Sequence, residues 1–215
     1  MKLFLTFFLA SLTTVFGQKL NFDIMVEYTT TYENSNYDKS AYAMSSNDNY
    51  ILKIVSYADG QKIAYVADLK GLKSHEFSIT ESIIENDLKN IKFTYIKTVK
   101  HKFARTMARG IYFDFVSESN NDGVETVKLN SYKNKAKTKL SNSLELKIIK
   151  SEVNLFPLFR FLCLHPFEYI TELNYNGAGL VTNCINKNGL KIHVLKAIEE
   201  ANLELTIPNL FKFAP

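Results

Sequence analysis

The chain has 215 residues, of which 46% are hydrophobic and 22% are charged, with 26 basic against 22 acidic side chains. This length suits one domain with a sizeable core, and the near balance of charge argues against a nucleic-acid-binding protein. Two cysteines in the whole sequence exclude a small disulfide-dense scaffold.

The chain opens with the pattern of a secretory signal peptide, residues 1–17. One lysine precedes an apolar run, and Val15 and Gly17 place small residues before a cut at Gln18. No cysteine follows that cut, and the rest of the chain has no apolar stretch of about 18 residues. We therefore expect an exported, soluble product without a lipid anchor or a membrane span, folded as a single β-rich domain over residues 18–215.

Alternation of apolar and polar residues predicts the first strand. Its apolar and aromatic side chains share one face and leave a polar outer face. At about 3.3 Å per residue this strand spans about 40 Å, so the sheet must coil and curve. The residues of the buried face are Leu20, Phe22, Ile24, Val26, Tyr28, Thr30 and Tyr32.

Turn residues divide the next part of the chain into further strands. We place turns at residues 34–36, 47–49, Asp59–Gly60 and Gly71, which gives a meander of five strands. Residues 82–90 have the spacing of a capping box, and a short helix and a loop both stay open there.

Strand patterns return in the second half of the chain. They flank a clear hairpin turn that ends in Asp122–Gly123, and they resume after residue 178. The predicted strands are 91–95, 111–116, 124–129, 144–149, 179–185, 190–198 and 203–207, with turns at 186–189 and 200–202.

One segment, residues 154–169, breaks the alternation because it is apolar almost all round. Pro157 suits the first turn of a helix, and Pro166 is expected to end it. An apolar helix over a curved sheet provides the walls that a ligand cavity needs, whereas the alternative is an ordinary filled core. The candidate lining residues are Phe156, Leu158, Phe159, Phe161, Leu162 and Phe167.

The two cysteines, Cys163 and Cys184, lie close together in the sequence. In an oxidising compartment such a pair predicts a disulfide, which would add about 3 kcal/mol of stability in the chain-entropy model. Their apolar flanks suit two buried free thiols equally well, so both interpretations stay open.

The only basic cluster lies at residues 97–109. Its candidate contact residues for anionic head groups or an acidic partner are Lys100, Lys102 and Arg105. A solvated strand end and loop would produce the same composition.

Nothing in the sequence singles out catalytic chemistry. The four histidines are far apart and lack the spacing of metal ligands, and the chain has no nucleophile elbow, phosphate-binding loop or dinucleotide fingerprint. We therefore expect a non-enzymatic protein with no catalytic residues, no metal and no cofactor, and keep a hydrolase as a minor alternative.

The closing strands carry a family resemblance. The run 176–181 (NGAGLV), the Asn188–Gly189 turn and the strand Leu203–Ile207 followed by Pro208 resemble the end of exported proteins of the GLPGLI family. Gly177 and Ala178 stand where that family has Leu and Pro. The resemblance implies an exported β-sheet protein, with an architecture similar to periplasmic lipoprotein carriers, which wrap an incomplete barrel around a hydrophobic cavity.

These observations predict a mainly β fold: a strongly curved antiparallel sheet of nine to eleven strands, open as a half-barrel, with one or two short helices on its concave face. A closed barrel or a two-sheet sandwich is the alternative. The leading functional hypothesis is a periplasmic or extracellular carrier, of a Gram-negative bacterium, for a lipid or another apolar ligand. The second is a protein-interaction or scaffold module of the cell envelope, with long edge strands or the basic cluster as its contact surface.

Overall fold

The computed structural model describes residues 17–33, 35–83, 89–101, 106 and 108–209. Eleven strands and one eight-residue helix make up its regular elements in that part of the chain. In chain order they are β1 (Gln18–Tyr32), β2 (Ser35–Met44), β3 (Asn47–Ser56), β4 (Lys62–Asp68), β5 (Lys73–Ile83), β6 (Lys89–Lys100), β7 (Tyr112–Asn121), β8 (Val124–Tyr132), β9 (Leu140–Lys150), α1 (Phe156–Cys163), β10 (Gly179–Asn186) and β11 (Lys191–Ile207).

All eleven strands belong to one antiparallel sheet in the order β6-β5-β4-β3-β2-β1-β11-β10-β9-β8-β7. The chain therefore builds one half outward from β1 to β6 and the other half inward from β7 to β11. The two halves meet where β1 pairs with β11 along nearly its full length, from Gln18↔Ile207 to Thr30↔His193. The edges are β6 and β7, and the sheet is not closed into a barrel.

The sheet curls strongly in its first half. Five strands separate β6 from β11 in the sheet order, which in a flat sheet would put them about 29 Å apart. Instead, Cα atoms of the two strands approach within 8 Å of each other. The predicted fold class, an open and curved antiparallel sheet with a short helix, is confirmed.

This curvature creates two apolar cores. The rolled core lies inside the curled first half and contains Leu20, Phe22, Met44, Leu52, Ala64, Val66, Phe77, Leu205 and Ile207. The helix-side core lies around α1 and draws on β1–β4, on β8–β10 and on the helix itself.

Strands β3 and β4 form a wall between the two cores. Ile51 and Ala67 belong to the helix-side core, whereas their neighbours Leu52 and Val66 belong to the rolled core. Successive side chains point to opposite faces of a strand, so these two strands are covered on both faces. The strand β1 contributes to both cores along its length, which ties them together.

The turn between β2 and β3 differs from the prediction. It consists of Ser45 and Ser46, and residues 47–49 already belong to β3. Asp23 on the adjacent β1 accepts hydrogen bonds from the Ser45 backbone N–H, at 2.7 Å, and from its hydroxyl. A contact from a residue 22 positions earlier in the chain thus fixes this turn, which the local composition had predicted two residues too late.

The predicted turn at 200–202 is also wrong, because β11 runs straight through it. Between the pairs Phe22↔Leu203 and Ile24↔Glu200, β11 has one residue more than β1, which is the signature of a β-bulge. The Glu-Ala-Asn composition therefore marks a local bend within one 17-residue strand.

Two other predicted boundaries move as well. β2 begins at Ser35, inside the predicted turn 34–36. Ser82 continues β5, so a helix does not begin there, and residues 84–88 lie outside the described part of the chain. The hairpin turns at Gly60 and Asp122–Gly123 are confirmed, with Gly60 at φ 83° and Gly123 at φ 79°.

Candidate functional site

The helix α1 lies against β2, β3 and β10. Pro157 occupies its first turn, where the missing backbone N–H leaves no helical hydrogen bond unmade. The backbone N–H of Leu155 donates to Gly179 O of β10 at 3.2 Å, which fixes the start of the helix on the sheet. The helix ends at Cys163, before the predicted stop at Pro166.

Four of the six predicted lining residues are buried in the helix-side core. These four are Phe156, Leu158, Phe159 and Leu162, none of them more than 5% exposed. The ring of Phe159 packs edge-on against Tyr28 of β1, with centroids 5.5 Å apart. Much of the space under the helix is therefore filled by the side chains of the helix itself.

The other two predicted lining residues, Phe161 and Phe167, are half-buried. Phe161 packs edge-on against Tyr169, with ring centroids 6.2 Å apart. Phe167 packs edge-on against Phe113 of β7 at 5.2 Å, and both rings border an open cleft. Ligand contact by any of the six residues stays a prediction.

This cleft, about 210 Å³ in volume, opens beside the C-terminal end of α1 and is bounded by β7, β8, β9 and β11. Its walls are mainly apolar, with a few hydroxyl, amide and imidazole groups among them. The lining residues are Phe113, Leu129, Ser131, Asn142, Leu144, Cys163, Leu164, His165, Phe167, Leu173, Ile192 and His193. The sequence prediction included Phe167 but missed the strand residues, which reach the cleft only through the pairing of β7 to β11.

His193 lies between this cleft and the helix-side core and is 7% exposed. Its Nδ1 lies 3.0 Å from Thr30 Oγ1. Burial, together with the charge of Lys39, lowers the pKa of His193 to about 4, and a hydrogen bond to the Cys163 backbone opposes that shift. The imidazole is therefore neutral at physiological pH and has hydrogen bonds within the core, which is the arrangement of a structural histidine.

Both cysteines are buried free thiols in the structure. Burial raises the pKa of Cys163 far above its ordinary value and that of Cys184 to about 12, so neither is a reactive thiolate. Both thiols act electrostatically on the Tyr28 phenol, which places the three side chains near one another. The disulfide between them stays a prediction.

The basic cluster is only partly described. Lys100 is the last residue of β6 and stands directly opposite Lys73 of β5. Both lysines line a wide cleft of about 660 Å³ at the open end of the rolled core, together with His75. Lys102 and Arg105 lie outside the described residues, so their position relative to Lys100 stays a prediction.

Arg160 is a buried charged residue that the sequence analysis did not select. It lies in α1 and is 2% exposed. Burial lowers its pKa to about 10, against the opposing influence of Asp48 and Glu172. The available signal was a lone basic residue inside an otherwise apolar helix.

Among the described residues, the structure brings together no group of three or more histidine, cysteine, aspartate or glutamate side chains that would hold a metal ion. The same part of the chain contains no helix with the length and hydrophobicity of a membrane-spanning segment. Comparisons of the chain with protein-family models, with curated proteins and with solved structures gave no match.

Proposed function

We propose that this protein is an exported, non-enzymatic binding protein for a small apolar ligand, held in the cleft beside the C-terminal end of α1. The observation that carries the proposal is the cleft itself: an apolar space with a few polar groups at a helix–sheet junction. Ligand sites in proteins commonly combine apolar walls with a small number of polar groups that orient the ligand.

The size of the cleft limits the ligand. A cavity of about 150 Å³ lined by apolar side chains holds one benzene molecule. At about 210 Å³, this cleft suits a single ring or a short stretch of acyl chain rather than a whole lipid. We therefore propose an apolar group on a larger molecule, such as the end of an acyl chain, as the part that is recognised.

Two features of the sequence support an exported location for this function. The signal-peptide pattern of residues 1–17 predicts export, although that segment lies outside the described residues. The resemblance of the closing strands to the GLPGLI family points the same way, and the carrier analogy agrees with an open curved sheet around a helix.

Binding is tested with a dansyl-labelled fatty acid, because dansyl fluorescence rises in an apolar site. Displacement of this probe by octanoate is then measured as a fall in the fluorescence. The variant Leu144→Lys places a charge in the cleft at a half-buried position and should weaken binding about tenfold or more. Ile96→Lys on β6 is the matched control, because Ile96 is 47% exposed and belongs to the opposite edge strand.

Saturable binding that Leu144→Lys lowers and Ile96→Lys leaves unchanged would support the proposal. Binding that is absent, or equal in the two variants, would refute it. Far-ultraviolet circular dichroism checks that both variants keep the fold.

The open edge of the sheet favours a second candidate, a protein-interaction module. Among the described residues, the ten-residue strand β7 pairs only with β8 and exposes Val116 to 42%. A free edge of this length offers backbone donors and acceptors to a strand from another protein. The test is whether an envelope protein binds the native chain stoichiometrically. Binding that Val116→Lys abolishes and Leu144→Lys leaves intact would favour a protein-interaction module over a ligand-binding protein.

A further inference from the structure

Arg160 borders a second, smaller pocket on the side of α1 that faces β3. The pocket has a volume of about 150 Å³, and besides Arg160 its polar walls are Asp48, Asn49, Lys70, Thr171 and Asn174. It shares no lining residue with the apolar cleft described above. Its chemistry is different, since charged and amide side chains line it beside Leu69 and Pro157.

The guanidinium of Arg160 has an incomplete set of partners. Its Nε donates to Glu168 O at 3.2 Å, and its Nη1 donates to Leu173 O at 2.6 Å. A guanidinium has five N–H donors, and neutral carbonyls satisfy some of them without balancing the charge. Among the described residues Arg160 forms no ion pair, and the Asp48 and Glu172 carboxylates act on it only from a distance.

A buried charge without a counter-charge is costly, so proteins normally pair it. The planar guanidinium fork matches the two oxygens of a carboxylate, which it binds through parallel hydrogen bonds. Arg160, at 2% exposure, thus supplies the pocket with a preorganised site for an anionic group.

The same pocket also contains acceptors that need a donor. The Asn174 Oδ1 atom is buried and has no hydrogen-bond partner among the described residues. The Asp48 carboxylate is half-buried and accepts one hydrogen bond, from Asn154 Nδ2 at 2.9 Å, through its Oδ2. An anion alone would satisfy Arg160 and would also be attracted by Lys70, but it would be repelled by Asp48 and would leave Asn174 Oδ1 without a donor.

We propose that this pocket binds a small zwitterion of the α-amino acid type, with its carboxylate on Arg160 and its ammonium group facing Asp48 and Asn174. The volume agrees with this class of ligand. A space of about 150 Å³ holds one benzene molecule, and glycine and alanine have no more non-hydrogen atoms than benzene.

Isothermal titration calorimetry of the native protein tests the assignment with four probes: glycine, L-alanine, acetate and methylammonium. Glycine and alanine should saturate one site, and each singly charged probe should bind about tenfold more weakly, because it satisfies one side of the pocket only. Acetate that binds as tightly as glycine would overturn the zwitterion, and so would the absence of glycine binding up to about 10 mM.

Two variants connect binding to the named groups. Asp48→Asn keeps an acceptor for Asn154 but removes the negative charge, so glycine affinity should fall about tenfold while acetate affinity does not fall. Asp59→Asn, in the exposed β3–β4 turn, is the matched control and should change neither.

Arg160→Met removes the charge in a side chain of similar length and should abolish binding of glycine and acetate together. A glycine affinity that is unchanged in Asp48→Asn, or glycine binding that survives in folded Arg160→Met, would overturn the proposal. If Arg160→Met fails to fold, the glycine and acetate affinities of Asp48→Asn decide whether the proposal holds.

Discussion

The two cores of this protein are closed in different ways. The rolled core is enclosed by the sheet itself, because β6 curls back toward β11. The helix-side core is closed by α1, an element from outside the sheet. The rolled core is filled by side chains of its own strands and has its wide cleft at the open end of the curl, whereas the apolar cleft and the Arg160 pocket both adjoin α1.

Polar groups differ between the cores in the same way. In the helix-side core, Tyr28, His193 and Arg160 are enclosed and hydrogen-bonded inside the molecule. In the rolled half, Asp68, Ser74 and His75 are buried as well, at 7–8% exposure, and Asp68 and His75 lie at the open end beside the wide cleft. Both halves therefore bury polar side chains, and the difference lies in their position: around α1 in one half and beside an open cleft in the other.

The largest expected effect tests whether the cores are energetically separate. Phe159→Ala in the helix-side core and Phe77→Ala in the rolled core each remove a ring that is at most 1% exposed, at a cost of about 3–5 kcal/mol. Because β1 and the β3–β4 wall belong to both cores, we expect one cooperative transition in both variants, measured by urea unfolding with tyrosine fluorescence and circular dichroism. Two separate transitions would show that the cores unfold independently.

A disulfide would make the helix-side core different from the rolled core in its covalent structure. The structure has free thiols at Cys163 and Cys184, so iodoacetamide should label both in unfolded protein without reductant, and reduction should leave stability unchanged. Labelling that requires prior reduction would establish the bridge, and reduction would then lower stability by about 3 kcal/mol in the chain-entropy model.

Acid should destabilise the folded protein through His193 in the helix-side core. Burial lowers the pKa of His193 to about 4 in the folded protein, from the ordinary histidine value of 6.5 that applies to the unfolded chain. The contribution of neutral His193 to the free energy of unfolding is complete above pH 6.5 and is lost as the pH falls toward 4. Over that range the unfolded chain takes up a proton that the folded protein does not. The loss amounts to about 3 kcal/mol.

The variant His193→Gln should flatten this dependence in urea titrations performed between pH 7 and about pH 4. His75→Gln is the comparison in the rolled half, where burial also lowers the histidine pKa, with the neighbouring Asp68 opposing it. A wild-type stability that is constant across this range would contradict the assignment of His193 as a buried neutral imidazole.

The smallest expected effect on stability comes from removing a hydroxyl group, and it should differ between a buried and an exposed tyrosine. The Tyr28 hydroxyl donates to Val181 O at 2.7 Å inside the helix-side core, so Tyr28→Phe leaves a buried carbonyl without its donor and should cost about 1 kcal/mol. Tyr50→Phe removes an exposed hydrogen bond to Gln18 at 3.1 Å and should leave the free energy of unfolding unchanged. Equal effects in urea unfolding would contradict the contrast between the two sites.

Local pattern predicted much of the fold. The alternation from Leu20 to Thr30 correctly assigned the buried face of β1, because successive side chains of a strand point to opposite faces. Tyr32, predicted on the same face, is 63% exposed at the end of the strand. The Asp-Gly turns were correct because the positive φ they require is a property of the turn residues themselves.

Two of the errors, the turn at Ser45 and the predicted turn at 200–202, depend on a contact with a strand that is not adjacent in sequence. The Ser45 turn is held by Asp23, and the bulge of β11 exists only relative to β1. The strand wall of the apolar cleft and the surroundings of Arg160 depend in the same way on pairing that no local window contains. The helix was predicted from composition, but the pockets beside it were not.

The pairing of β1 with β11 has a consequence for the time course of folding. These two strands form the centre of the sheet, yet nearly the whole described chain lies between Gln18 and its partner Ile207. Hairpins such as β7–β8 close short loops and form quickly, whereas the central pair must close the longest loop in the molecule. Because a chain is synthesised from its N-terminus, β1 is made long before its partner β11. Until β11 is available, β1 has an unpaired edge that could pair with the wrong strand.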